Sequence, residues 1–591
     1  MKRFNYRIFI PAGLFTLLVV YACSKSFTTI KPLAAVSPDV LANSFGIRGI
    51  LIGAYSMLDG IGGAGGSEGP WSSAGSNWVY GSVCADDSHK GSDPGDQQDI
   101  TPLMRWEENA SNGYLADLWA ARYDGVQRAN DVLRTLPLAA DMSDADKTEA
   151  TAEARFLRGF YHLDLKKVFG NIPFIDETIS YANGNWRVPN TADAWPMIEA
   201  DFQFAYENLP ETQSETGRAN KWAAGAFLAK CYVFEHKWAD ALSLLHTVVS
   251  SGKNAMGQKY ALLANFADNF NPAKNHLIGS GDPELVFAAV SSVNDGGGAN
   301  NANAGDVLNF PYGGGPGTCC GFNQPSWSLA NAFKVDGTTG LPLTYTNDNN
   351  LPDLKNDEGI NSNDPYTPDS TTPVDPRIDW TMGRRGIPYL DWGIMPGQNW
   401  IRNQASAGPY VPIKNVYYSS QTGTLTDNSS WTSGYTANNI LLMRFADVLL
   451  MCAEAEVEAG SLSNAQDLVN QVRNRMTPSS TWVQNSPAKY KIGLYPAGWF
   501  TAQGQAVARK AVQWERRLEL AMEGHRFFDL VRYGTAQTEL NAYVTHEVSS
   551  GYLIMKGASF KATSGIFAIP QHQIDLSSLN GTPTLTQNPG Y

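Results

Sequence analysis

Two distant stretches of this chain spell the same helix–turn–helix unit, and any fold open to it must accommodate both. The first runs Leu228-Ala229-Lys230-Cys231-Tyr232, then Trp238-Ala239-Asp240-Ala241-Leu242-Ser243-Leu244-Leu245. The second runs Ala453-Glu454-Ala455, then Gly460 to Val469 and Val472. Ala229 and Ala241 are spaced as Ala453 and Ala465 are, and such small residues let paired helices approach closely. One unit cannot bury its apolar face alone. The copies are therefore expected to assemble in space across the interval between them, which argues against separate N- and C-terminal domains.

Other segments carry the same helical period. Ile47, Ile50, Leu51, Ala54 and Tyr55 share one face, as do Leu118, Trp119, Tyr123, Val126, Ala129 and Leu133. Further helices are predicted over 150–168, 194–208, 221–236 and 239–250. Gly60–Ser76 and Ala85–Asp99 are predicted loops. The interval from Ala261 to Tyr435 differs in character, being crowded with Gly, Asn, Pro and aromatics (Gly296-Gly297-Gly298, Tyr312-Gly313-Gly314-Gly315-Pro316, Trp392, Trp400). Loops this long are usually functional or disordered, and the aromatic content argues against disorder.

The N-terminus reads as a targeting segment. Lys2, Arg3 and Arg7 precede an apolar run, Ile8–Tyr21, too short to span a bilayer. Val20-Tyr21-Ala22-Cys23 resembles a bacterial lipobox, so 1–22 is expected to be a lipoprotein signal peptide, Cys23 the acylated residue and 23–40 a tether. Cys231 and Cys452 fall within apolar helical patterns and are expected as buried, inert thiols, while Cys84 stays ambiguous. Cys319 and Cys320 are adjacent, and a bond between them would stiffen the backbone; whether it forms is left open. A net charge of −13 without a Lys/Arg run excludes nucleic acid as a natural partner.

The C-terminal part carries a resemblance. The stretch from Glu515-Arg516-Arg517-Leu518-Glu519 to Asp529-Leu530-Val531-Arg532-Tyr533-Gly534 is similar to the signature of the SusD/RagB family. Similar too are 444–455, Ile569-Pro570 with Gln587-Asn588-Pro589-Gly590-Tyr591, Glu153 to Arg158, Phe169-Gly170-Asn171-Ile172-Pro173 and Asp375-Pro376-Arg377. The helix pairs also resemble tetratricopeptide units. The resemblance implies a mostly α fold of tetratricopeptide-like helix pairs with a large loop-rich insert: one body over 41–591, divided into 41–260, the insert 261–435 and 436–591. It implies an outer-membrane lipoprotein facing the cell exterior, which passes oligosaccharides (in some members, peptides) to a SusC-like TonB-dependent transporter. Ser24-Lys25-Ser26 stand where many surface-exported relatives carry acidic residues.

Chemistry narrows the rest. Glu515, Glu519, Glu523, His525, Arg526 and Asp529 invite a catalytic reading, but Glu523–Arg526 and Arg526–Asp529 are at helical ion-pair spacing, so a structural role is expected. Glycoside hydrolysis needs two carboxyls ~5 to 9 Å apart across one bond. No such pair is identifiable, and Asp86 and Asp87 would point apart if extended. No catalytic activity or cofactor is expected. Calcium is a weak alternative at Asp86–Asp99 or Asn347–Asp364, neither of which has EF-hand spacing. A sugar site needs aromatic faces and polar hooks. Candidates are Trp78, Asp87 and Trp106, Cys319-Cys320 with Trp327, and Arg384-Arg385 with Tyr389, Tyr410 and Tyr417. Similarity to fructan-binding members of the family points to Asp87, Trp106, Cys319, Cys320 and Arg385, and further to Asp59 and Tyr410. A lipid-anchored glycoside hydrolase and a peptide-binding scaffold are the alternatives.

Overall fold

A computed structural model describes residues 38–61, 68–275, 282–347 and 351–591. The signal segment, Cys23 and most of the tether lie outside the described residues, as does part of the 60–76 stretch.

Helices dominate. In chain order those of seven residues or more are α1 (Ser44–Tyr55), α2 (Gly113–Thr135), α3 (Asp144–Phe169), α4 (Trp195–Asn208), α5 (Lys221–Phe234), α6 (Trp238–Ser251), α7 (Phe445–Ala459), α8 (Leu462–Asn474), α9 (Gln505–Leu520), α10 (Arg526–Arg532) and α11 (Ala536–Ser549). Helices α2 to α6 stack each on the next; α7 packs on α6, and α8 and α9 pack on α7. The second repeat thus continues the stack begun by the first, although the insert separates them in sequence. Ala229, Ala241, Ala453 and Ala465 are all fully buried, which is the close approach that small side chains permit.

Local chemistry sets the helix ends. Asn112, Ser143, Asn220 and Ser461 each turn a side-chain oxygen onto a free N–H of the first turn. The Ser143 cap starts α3 six residues before the predicted Ala150, because the polar run Asp144–Glu149 carries no apolar period. His236, predicted inside α5, instead adopts a left-handed φ of +57° in the turn to α6.

Two short antiparallel ribbons tie the insert to the helices. Strand β1 (Ser88–Gly91) pairs with β3 (Phe322–Pro325), and β2 (Leu285–Ala289) pairs with β4 (Ile440–Arg444). The predicted loop Ala85–Asp99 therefore contains a strand, and Trp78–Val83 forms a wide helical turn just before it. Gly81 sits so close to Gly524 that a Cβ there would lie 1.9 Å from the Gly524 carbonyl oxygen, so only glycine fits. The insert has its own small core of Phe310, Tyr389, Trp400, Val411, Ile413 and Tyr417, which gives its long loops fixed shape.

Buried charges lock the C-terminal signature in place. Glu519 binds Arg377 (3.0 Å), Arg444 (2.6 Å) and Arg475; Glu515 binds Arg377 and Arg473 (2.7 Å each). Glu523 pairs with Arg444 (2.8 Å) and Lys414 (2.6 Å), not with Arg526 as helical spacing predicted. The reason is that α9 ends at Leu520 and α10 begins only at Arg526, which breaks the register. Arg526 instead reaches Asp86 at 2.8 Å, and Asp529 serves Arg516 (3.2 Å) and Arg532 (2.9 Å). Among the described residues, no helix is long and apolar enough to cross a membrane.

Candidate functional site

The β1–β3 ribbon places the segment after Gly91 beside the segment before Phe322, because Gly91 and Phe322 are paired partners. Main-chain bonds continue the join: Ser92 N–H donates to Gly321 O at 2.5 Å, and Gly321 N–H donates to Phe310 O at 2.9 Å. Tyr312 N–H donates to Trp400 O at 2.8 Å, which brings in a third segment. Residues 92–96, 310–321 and 398–402 thereby form one surface over the insert's core. Gly315 lies over the Trp400 ring, where a Cβ would come within 2.9 Å of it, and Gly317 N–H donates to the Tyr417 hydroxyl at 3.0 Å.

Four charged side chains gather here. The Arg402 guanidinium binds Asp93 and Asp96, each at 2.6 Å, and donates to the Ser92 hydroxyl at 3.0 Å. Its carbon stands 5.5 Å from the centroid of the Tyr312 ring, within cation–π range. Arg402, Asp93 and Asp96 keep about a third of their side chains in solvent (32%, 32% and 29%), so their remaining hydrogen-bonding capacity faces outward. Below them Lys90 donates to the Asp93 carbonyl at 2.8 Å and lies 5.8 Å from the Phe322 ring centroid. Burial pushes the Lys90 ammonium down to about 8, against the pull of Asp96 and Asp93. Cys319 and Cys320 are joined by a disulfide across a cis peptide bond, with Cys320 buried and Cys319 half-buried at the rim.

The arrangement suits recognition of a polar, ring-shaped ligand. A half-buried tyrosine face meets apolar C–H surface, while fixed carboxylate and guanidinium groups accept from and donate to hydroxyls. Asp93 and Asp96 are held by one guanidinium rather than placed on two sides of an open gap, the layout that two-carboxylate hydrolysis uses. Among the described residues, no group of three or more His, Cys, Asp or Glu is placed to hold a metal ion.

Of the residues singled out from sequence, only the Cys319–Cys320 pair belongs to this surface. Trp78 is 1% exposed, with its indole N–H on Gly305 O at 3.0 Å and its ring against Phe322, so it supports β3 from beneath. Trp106 is 6% exposed, donates to Cys84 O at 3.0 Å and meets Phe560 edge-on at 5.2 Å. Neither presents a free face for a sugar, because the interior supplies both the apolar contact and the acceptor that an indole needs. Asp87 is buried between Arg517 (3.5 Å) and the Met522 N–H (3.4 Å); burial raises it to about 6. Its neighbour Asp86 is held well below the usual range because Arg517 and Arg526 outweigh the cost of its burial. Arg385 donates to the carbonyls of Ile360 (3.3 Å), Ser362 (3.0 Å) and Asp364 (2.7 Å), bracing a loop, and Arg384 pairs with Asp379 at 2.7 Å. Tyr410 is 2% exposed. Asp59 lines a separate cavity of about 780 Å³ with Arg128, Arg218 and Asn301, where burial raises it to about 7.

Asp93, Asp96 and Arg402 were not singled out, and Tyr312 was noted for the insert's character but not as a ligand-binding candidate. Asp93-Pro94-Gly95-Asp96 is a legible turn and Tyr312 opens a glycine run, but nothing in the sequence distinguishes Arg402 from other surface arginines.

Comparison with known proteins supplies the family. A sequence model of the SusD family matches residues 283–591, and one described as starch-binding associating with outer membrane matches 72–233. A SusD-like protein of Formosa agariphila is 23% identical over 88% of each chain. The starch-binding protein SusD of Bacteroides thetaiotaomicron is 22% identical over 83% of each. Among solved structures, surface glycan-binding protein A of Bacteroides thetaiotaomicron in complex with laminarihexaose superposes with a TM-score of 0.65 at 19% identity, covering 92% of this chain and 99% of that one. A laminarin-binding SusD-like protein superposes with a TM-score of 0.60 at 24% identity, covering 93% and 100%. With the signature residues locked in the buried charge network and a family match over more than half its length, the chain belongs to the SusD family.

Proposed function

We propose that this protein captures a glycan at the outer membrane, held there by acyl chains on Cys23, and passes it to a SusC-like TonB-dependent transporter. The observation that carries the reading is the surface at residues 92–96, 310–321 and 402. A tyrosine face, a carboxylate-bound guanidinium and the Cys319–Cys320 rim are set there on a rigid base. Relatives described as binding starch or laminarin support a glycan as the ligand class. Fructan, suggested by the adjacent cysteines, stands beside those two as the ligand to test. The lipobox and the family's outer-membrane association support a lipid-anchored protein facing the cell exterior.

The test is calorimetric titration of purified protein with laminarin, starch and fructan, repeated with Tyr312→Ala and Arg402→Ala. Wild type is expected to bind one of the three without releasing reducing sugar, and each variant to lose about tenfold or more in affinity, the scale of a lost ring or charged contact (~1.5–3 kcal/mol). Binding of peptides alone would favour the scaffold alternative, and sugar release the hydrolase. Unchanged affinity in both variants would remove this surface from the site.

A further inference from the structure

A second groove opens where the insert meets residues 480–485, sharing no lining residue with the surface around Arg402. It is an open cavity of about 680 Å³ walled by Trp380, Leu390, Ile394, Tyr418 and Trp482. Its floor is a small core of Phe266, Phe270 and Met476, against which both indoles pack. Each indole N–H is already bound inside the wall: Trp380 Nε1 donates to Thr481 O at 2.9 Å, and Trp482 Nε1 to Met476 O at 2.7 Å. Turning either ring would break that bond, so the two half-buried rings are held in fixed orientation. This is the reverse of Trp78 and Trp106, whose rings are spent inside the core.

The polar lining selects the ligand. Asp268 and Asp391 contribute carboxylates, and Asn265, Gln484 and Asn485 contribute amides, while the lining contains no Lys, Arg or His. Asp391 accepts from the backbone N–H groups of Ser419 and Ser420 (2.5 and 3.0 Å), which fixes its direction. An anionic polymer would meet two carboxylates and no counter-charge. A neutral sugar chain would set its C–H faces on the rings and its hydroxyls on the acids and amides. Leu390 packs on the insert's core and also lines the groove, so the groove and the Arg402 surface share one rigid support.

We propose that this groove is a second subsite for a neutral glycan chain, which lets a long polysaccharide engage the protein at two places. The inference rests on the glycan-binding reading above. Two linked sites raise the apparent affinity for a long ligand by ~10²–10⁴-fold while leaving short ligands at the single-site value.

The experiment titrates the full mature protein with maltohexaose, laminarihexaose and a fructan hexamer, and with their parent polymers. Variants are Trp482→Ala and Ile394→Arg; Ile394 is 57% exposed, so its replacement blocks the groove without disturbing packing and decides the matter if Trp482→Ala fails to fold. The expected result is that the bound hexamer falls from two per chain to one, and that affinity for the matching polymer drops about a hundredfold. Unchanged stoichiometry and polymer affinity in Ile394→Arg, with Tyr312→Ala still weakening binding about tenfold or more, would overturn the second subsite while leaving the first reading intact. Wild type binding none of the probes would remove both. Alginate, a carboxylated polymer, competing for the groove would overturn its assignment to neutral chains.

Discussion

Replacing Glu519 by Gln should cost this protein a large part of its stability while changing no residue that lines either glycan surface. The Glu519 carboxylate is fully buried and meets Arg377, Arg444 and Arg475 together. Those arginines attract it strongly enough to overcome the penalty of burial and hold it far below the usual carboxylate range. In the surrounding network, the cations Arg377, Arg444, Arg473, Arg475 and Lys414 are matched by Asp375, Glu284, Glu515, Glu519 and Glu523. Glu519→Gln keeps the shape but leaves one guanidinium uncompensated in the interior. Breaking a buried pair from one side costs about 3–5 kcal/mol, against a typical total of about 5–15 kcal/mol. Equilibrium urea unfolding, followed by tryptophan fluorescence, reads the loss as a shift in midpoint. Arg475→Met alone should destabilise similarly, since Glu284 and Glu519 are then left to share Arg444 in a network one cation short. The double variant restores the balance of charge and should cost less than the sum of the singles by about 1–3 kcal/mol. A loss below about 1 kcal/mol for Glu519→Gln, or strict additivity, would refute the argument that charge balance holds α9 to the insert.

Trp106→Ala should lower stability by about 3–5 kcal/mol through the cavity it leaves, while the folded fraction keeps its glycan affinity; a selective loss of binding at unchanged stability would return Trp106 to the ligand site. His546 is raised to about 9: burial alone would lower it, but hydrogen bonds to Asp353 (2.7 Å) and Glu547 (3.4 Å) prevail. Because the folded value lies above the unfolded one of about 6.5, its contribution is complete below pH 6.5 and is lost as pH rises through 9; it amounts to at most about 3 kcal/mol. Urea midpoints of wild type and His546→Asn should therefore differ at pH 6 and converge at pH 9.5, and a constant gap would exclude the effect.

The division of labour between the two surfaces and the core follows from where aromatic rings find their partners. Trp78 and Trp106 have backbone acceptors and aromatic neighbours inside the molecule, so they are structural. Trp380 and Trp482 have acceptors behind them and space in front, so they are available to a ligand.

Read alone, the amino-acid order determined the helical stack, its repeated small residues and the structural purpose of the acidic and basic residues from Glu515 to Asp529. Those properties depend on neighbours three or four positions apart, or on a signature long enough to be specific. Even there the pairing went astray at Arg526, since one break in the helix redirects a guanidinium to Asp86, some 440 positions away. The binding surface was decided by tertiary structure. Asp96 and Arg402 are 306 positions apart and meet only because β1 and β3 pair and Tyr312 bonds to Trp400. Whether a tryptophan is buried or offered to a ligand depends on what the rest of the chain places against its face, and no local pattern of residues carries that information.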